Sequence, residues 1–203
     1  YNENFDIEII NSKDEEKRKK YLKHLFEKLQ REQGLLERDC DRLLRNDRVI
    51  WATSMVACGD ADGAVTGNTR RFGASLEKIK QVVDVRKGEI MFGLNMVVHK
   101  GKTIFIGDTS VHEYPTSEEL AEIAISTARV VRLFGFEPKV AFVSHSTFGQ
   151  PLTSRTKHIR NAVDILKEQK VDFEFDGDMQ PDVALNSEYK ELYPFSNIVG
   201  KAN

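Results

Sequence analysis

The sequence predicts an α/β fold, a mostly parallel sheet with helices on both faces. Helix-period stretches alternate with short apolar runs along most of the chain, the pattern of βα units. Val140-Ala-Phe-Val143 is apolar at all four positions, as a strand covered on both faces requires. The 203 residues, 40% apolar and 31% charged, suffice for a hydrophobic core without disulfides or structural metal.

The elements follow in order. Phe5–Ile10 reads as a short strand, and Ser12 with Glu15 makes a capping box for a helix to about Gln33. That helix carries Leu22, Leu25, Phe26 and Leu29 on one face and a mixed, solvated Lys/Arg/Glu face opposite, with Gly34 as its stop. A second short helix covers Leu36 to Arg45. Val49–Cys58 is almost wholly apolar, so periodicity leaves helix and strand open there. Ala64–Thr66 resembles a strand end, and Leu76, Ile79, Lys80 and Val83 suit a helix from about Thr69 to Asp84. Ile90–His99 and Thr103–Asp108 flank Lys100-Gly101 as a hairpin. Thr116 and Glu119 make a capping box for a helix to about Phe134, with Leu120, Ile123, Ala124, Thr127, Val131 and Phe134 on one stripe. The strand at Val140–Val143 precedes a helix from Thr153 to Lys170, a strand at Val171–Phe175, and a partly helical stretch at Pro181–Leu192.

Composition excludes several classes. Lys plus Arg total 30 against 32 Asp plus Glu, a net charge of −2, which argues against a dedicated nucleic-acid binder. No apolar run approaches the ~18 residues of a membrane span, so no membrane partner is expected. Cys40 and Cys58 lie far apart and form no disulfide framework, which suits a reducing cytoplasm. The start at Tyr1, with no Met or signal pattern, and the end at Gly200-Lys-Ala-Asn203 read as a piece of a longer polypeptide.

The chemistry is carried by loops. Nucleotide-binding Gly motifs, H-E-x-x-H and G-x-S-x-G are absent. Asp60-Ala-Asp62 and Asp176-Gly-Asp178 fail the calcium-loop template, with Val65 and Pro181 where its Gly belongs, so no metal is expected. Ser144-His-Ser-Thr147 follows the apolar strand, and the carboxyl ends of strands are where α/β sheets place ligands. Its hydroxyls suit either a phosphate cradle or the cap of the next helix. Thr69-Arg70-Arg71 offers two guanidiniums for a phosphate or carboxylate. Asp176 takes a further strand end, and His145 is the one histidine in a ligand-facing loop. No nucleophile–base pair can be built, so no catalytic residue is assigned.

Gly59-Asp-Ala-Asp-Gly-Ala-Val-Thr-Gly67, Ser144-His-Ser-Thr-Phe-Gly149, Asp176-Gly-Asp-Met-Gln-Pro-Asp-Val-Ala184 and Gly200-Lys-Ala-Asn203 together resemble the phosphate acetyltransferase (phosphotransacetylase) family, in order and over essentially the whole chain. The resemblance implies a two-domain α/β architecture around a cleft, akin to the isocitrate and isopropylmalate dehydrogenase class, of which this chain is a fragment. Residues 1–68 would be the end part of the first subdomain and 69–203 most of the second. The family's residues for the coenzyme A thiol would fall beyond Asn203.

Departures from that pattern narrow the resemblance. Arg70-Arg71-Phe72 stands where the family has His-Ser-Thr, Glu77-Lys78 replaces Arg-Pro, and Phe148 replaces a lysine. Lost cations weaken the electrostatic stabilisation that acyl transfer needs. Thr66-Gly-Asn-Thr-Arg-Arg-Phe72, Val171–Asp178, Asp182-Val-Ala-Leu-Asn186 and Tyr193-Pro-Phe195 look like the C-terminal domain of large bacterial NADP-dependent malic enzymes. That implies a regulatory, homo-oligomer-forming domain sensing acetyl-CoA, with NADP and a divalent metal held only in domains outside this chain. The alternative is a working phosphate acetyltransferase, for which acetyl-CoA is a substrate. The ligand-site candidates are Thr69, Arg70, Arg71, Ser144, His145, Ser146, Thr147 and Asp176. The aromatics Phe134, Phe136, Tyr193 and Phe195 are candidate subunit contacts.

Overall fold

A computed structural model describes residues 7–149 and 152–203. The chain divides into two compact units, Tyr1–Val85 and Arg86–Asn203. The helix at Phe72–Val82, which follows residue 69, packs on those at Glu15–Gln33 and Arg48–Ala57 of the first unit.

The first unit is helical. Helix α1 spans Glu15–Gln33, and Asp14 caps it by accepting from the Lys17 amide at 3.1 Å. Asp14 thereby takes the capping role expected of Ser12, with Glu15 and Glu16 favourably placed in the first turn. Gly34, at φ 66°, ends the helix in the left-handed conformation that glycine tolerates best. Helices α2 (Glu37–Asn46) and α3 (Arg48–Ala57) follow. Asp47 decides the ambiguous apolar stretch in favour of helix, since its carboxylate accepts from the amides of Val49 and Ile50. Helix α4 covers Phe72–Val82. The core gathers Tyr21, Leu25, Leu29, Leu44, Ile50 and Val82, with Tyr21 edge-on to Trp51 at 5.1 Å.

Three expectations fail in this unit. Ile7–Ile10 is not a strand, and Ile7 and Ile9 are exposed; Phe5 and Asp6 lie outside the described residues. Ala64–Thr66 is irregular and Val65 fully exposed, with no strand among the described residues to complete a ladder. Lys28 leaves the solvated face of α1: it is buried, and its ammonium donates to the Val83 carbonyl and the Asp84 carboxylate. A cation is favourable there because Val83 closes the carbonyl end of α4.

The second unit mixes strands and helices. Strands β1 (Leu94–His99) and β2 (Lys102–Gly107) pair antiparallel through Lys100 and Gly101, both at positive φ, as a two-residue hairpin turn demands. Helix α5 (Ser117–Leu133) begins with the expected reciprocal cap between Thr116 and Glu119. Strand β3 (Lys139–Val143) pairs parallel with β4 (Glu174–Met179), helix α6 (Ser154–Gln169) connects them, and α7 spans Pro181–Leu185. Ala121, Ala124 and Ala128 of α5 and Ala162 of α6 are all buried, and these small residues let the two helices approach over Phe142.

The expected mostly parallel sheet is therefore two separate pairs among the described residues, one antiparallel and one parallel. Among the described residues β3 pairs with β4 alone, and Val143 is half exposed, where a doubly covered interior strand is expected from its sequence. β4 begins at Glu174 and runs on through Asp176 and Asp178. Asp176 thus lies inside the strand, not beyond its end. Gly177 allows this, since a Cβ there would sit 2.7 Å from that of Phe142.

Candidate functional site

The loop after β3 is held from beneath by β4. The Ser144 amide donates to the Met179 carbonyl at 2.9 Å, and the Phe148 amide to the Asp178 carbonyl at 2.8 Å. Thr147 Oγ1 accepts from the Gln180 amide at 3.1 Å, and the His145 carbonyl accepts from the Gln180 side chain at 3.0 Å. The Ser146 hydroxyl is buried and donates to Asp178 Oδ2, while Arg160 Nε donates to Asp178 Oδ1 at 3.1 Å. Burial pushes the Asp178 carboxyl up, but these two donors outweigh it and hold the group below its ordinary range.

The hydroxyls of this loop have divided roles. Ser146 is spent on an internal carboxylate and Thr147 on a backbone amide. Ser144 Oγ, 3.3 Å from Ser146 Oγ, is half-buried, and the His145 side chain is exposed. Asp176 lines a cleft of about 330 Å³ with Phe148, Arg160, Lys167, Asp178 and Phe195. Phe148 takes positive φ and turns its ring into a cluster with Tyr193 and Phe195, at 5.6 and 4.9 Å between centroids.

Thr69, Arg70 and Arg71 belong to the first unit, so the two groups of candidates are carried on different bodies. Arg70 Nη1 donates to Asp47 Oδ2 at 2.7 Å, the same carboxylate that caps α3. Burial raises the Asp47 carboxyl, yet the Arg70 guanidinium and the helix amides leave it below its usual range. Arg71 occupies the N-cap position of α4 and, like Thr69, is exposed.

Sequence reasoning missed the most heavily bonded carboxylate. Asp108, at the end of β2, accepts from the amides of Gly93, Ser110, Val111 and His112, at 2.9–3.1 Å. Its Oδ2 also lies 2.7 Å from His112 Nδ1, which orients the imidazole. Burial opposes ionisation, but the amides and His112 bring the carboxyl to about 2. The available signal was a lone Asp four residues before a His at a strand end, too common to single out. Among the described residues no three His, Cys, Asp or Glu side chains converge as a metal site. No helix among them is long and apolar enough to cross a membrane.

The family model for phosphate acetyl/butaryl transferase matches residues 2–203. The chain belongs to that family. Among curated relatives, the NADP-dependent malic enzyme of Rhizobium meliloti (strain 1021) is 44% identical over 97% of this chain. The phosphate acetyltransferase of Clostridium acetobutylicum is 33% identical over 98% of it. The chain spans 26% of the malic enzyme and 63% of the acetyltransferase. A phosphotransacetylase structure from Staphylococcus aureus superposes with TM-score 0.79 at 26% identity, covering 98% of this chain and 61% of that one. The α/β fold of this phosphate acetyl/butaryl transferase domain is thus that of the phosphotransacetylases. Of the residues quoted for the resemblance, Ser146, Thr147 and Asp178 now have structural bonding roles.

Proposed function

We propose that this domain is the regulatory and oligomer-forming part of a cytoplasmic bacterial NADP-dependent malic enzyme, binding acetyl-CoA as an effector without turning over acyl phosphate. NADP and a divalent metal then belong to other parts of the parent, and malate is oxidatively decarboxylated there. The observation that carries this reading is Phe148. At the strand-end loop, where the family resemblance leads one to expect a cation, the side chain is an aromatic ring packed on Tyr193 and Phe195. An anionic acyl phosphate gains nothing from that ring cluster, since transfer relies on fixed positive charge. Arg70 is likewise engaged by Asp47.

Acetyl-CoA would be held through its phosphates either by Arg71 with Thr69 or by the strand-end hydroxyl of Ser144. Arg71 supplies charge and Ser144 a strand-end hydroxyl. Phe134, Phe136 and Phe195 keep exposed surface for subunit contact. A second reading, a working phosphate acyltransferase, is favoured by the 33% identity to the Clostridium enzyme.

Calorimetry of the parent protein with acetyl-CoA, beside malate-oxidation and acyl-phosphate assays, separates the two. The regulatory reading expects saturable binding, slowed malate oxidation and no acetyl phosphate. Robust acetyl phosphate formation would establish the second reading, and absence of binding would remove both.

A further inference from the structure

The cleft of about 330 Å³ lies between α6 and β4, at the small end of ligand-sized cavities. Two of its charges are already matched: Lys167 and Asp164 pair at 3.1 Å in largely exposed positions. Asp178 is fully buried, and Ser146 and Arg160 Nε donate to its two oxygens. That bond orients the guanidinium and uses one of its three nitrogens. The two Nη atoms bond no described residue. Across the cleft, Asp176 Oδ1 accepts from the Gly177 amide at 2.9 Å, and Oδ2 bonds no described residue. Arg160 and Asp176 therefore line one small cleft, each with open hydrogen-bonding capacity, and form no ion pair with each other.

The remaining walls are apolar. Val163 of α6 lines the cleft with the rings of Phe148 and Phe195. The two rings meet edge to face at 4.9 Å between centroids, and Phe195 is 67% exposed, so ring surface is left for a guest to cover.

We infer that this cleft binds a free α-amino acid with an apolar or aromatic side chain. Such a molecule carries a carboxylate and an ammonium on one carbon, which suits a donor fork and an acceptor held apart in one hollow. The Arg160 Nη groups match the carboxylate in two parallel bonds, and Asp176 takes the ammonium. The side chain goes to Phe148, Val163 and Phe195. A plain anion would gain Arg160 but meet the charge of Asp176. A plain amine would gain Asp176 and the rings but meet the guanidinium. A zwitterion satisfies both groups, and Asp178 behind Arg160 holds the fork in place beforehand. The inference gives Phe195 to this cleft and leaves Phe134 and Phe136 as the candidates for subunit contact. It does not rest on acetyl-CoA binding.

Calorimetry on the purified full-length protein tests it, with L-phenylalanine and L-leucine as probes. Both should bind saturably at concentrations up to about 10 mM. Phenylpropanoate lacks the ammonium and phenylethylamine lacks the carboxylate, and each should bind about tenfold more weakly than L-phenylalanine. Asp176→Asn should weaken L-phenylalanine by a similar factor and leave phenylpropanoate unchanged or tighter, a contrast that a general loosening of the fold does not produce. Phe195→Ala, at an exposed position, should weaken L-phenylalanine several-fold. Absence of binding by both amino acids overturns the inference. Phenylpropanoate or phenylethylamine binding as tightly as L-phenylalanine also overturns it, making the cleft a plain anion or cation site. Full affinity for L-phenylalanine in Asp176→Asn does the same. Should that variant not fold, the two ligand controls decide without it. Acetyl-CoA titrated into the same protein is read separately, so the functional reading and this one fail independently.

Discussion

The Ser146 hydroxyl donates to the buried carboxylate of Asp178, and Arg160 holds the other oxygen. This bond ties the loop after β3 to β4 and commits the Ser146 hydroxyl to an internal acceptor. Ser146→Ala leaves a buried carboxylate short of a donor and should lower stability by about 1–3 kcal/mol in urea unfolding. Ser144→Ala, which takes nothing from Asp178, should stay within about 0.5 kcal/mol. Equal effects from the two would contradict the division of roles.

Asp108 should govern acid stability. Its carboxyl lies near 2 in the folded chain, against about 4 when unfolded. A depressed folded value means the stabilisation is complete above pH ~4 and is lost as pH falls towards 2, about 2–3 kcal/mol in all. Asp108→Ala should remove that much at neutral pH and flatten the stability curve between pH 4 and 2. An unaltered acid limb in the variant would refute the assignment.

Lys28 is the buried cation of the first unit, bonded to Val83 O at 2.9 Å and Asp84 Oδ1 at 2.5 Å. Lys28→Ala should cost about 1–3 kcal/mol, measured as a lowered melting temperature. Arg31→Ala, whose side chain is largely exposed, should change it little. A melting temperature for Lys28→Ala equal to that of Arg31→Ala would sink this.

The two neighbouring arginines should separate. Arg71→Ala should weaken acetyl-CoA binding to the parent about tenfold. Arg70→Ala should instead lower the stability of the first unit, because it strips Asp47 of its partner. Calorimetry and thermal unfolding of both variants check this, and loss of acetyl-CoA binding confined to Arg70→Ala would reverse the assignment.

Local signals made most helices legible. Thr116 with Glu119, Gly34 and the Lys100-Gly101 turn act through hydrogen bonds and φ preferences within a few residues, so each was readable from neighbours alone. The loop Ser144–Gly149 was readable as a strand-end loop for the same reason. Strands were less so: Ile7–Ile10 and Ala64–Thr66 carry the residues strands favour and yet pair with no strand among the described residues. A strand exists only when a second chain segment completes its ladder, and no short window of sequence states where that segment lies. The same distance in sequence separates Ser146 from Asp178, Asp108 from Gly93, and Lys28 from Asp84. The family, the capped helices and the hairpin were legible in the chain, because they rest on local chemistry and on motifs in order. Which hydroxyls and cations are spent internally emerged with the folded arrangement, because burial and long-range pairing set the free energy of each polar group.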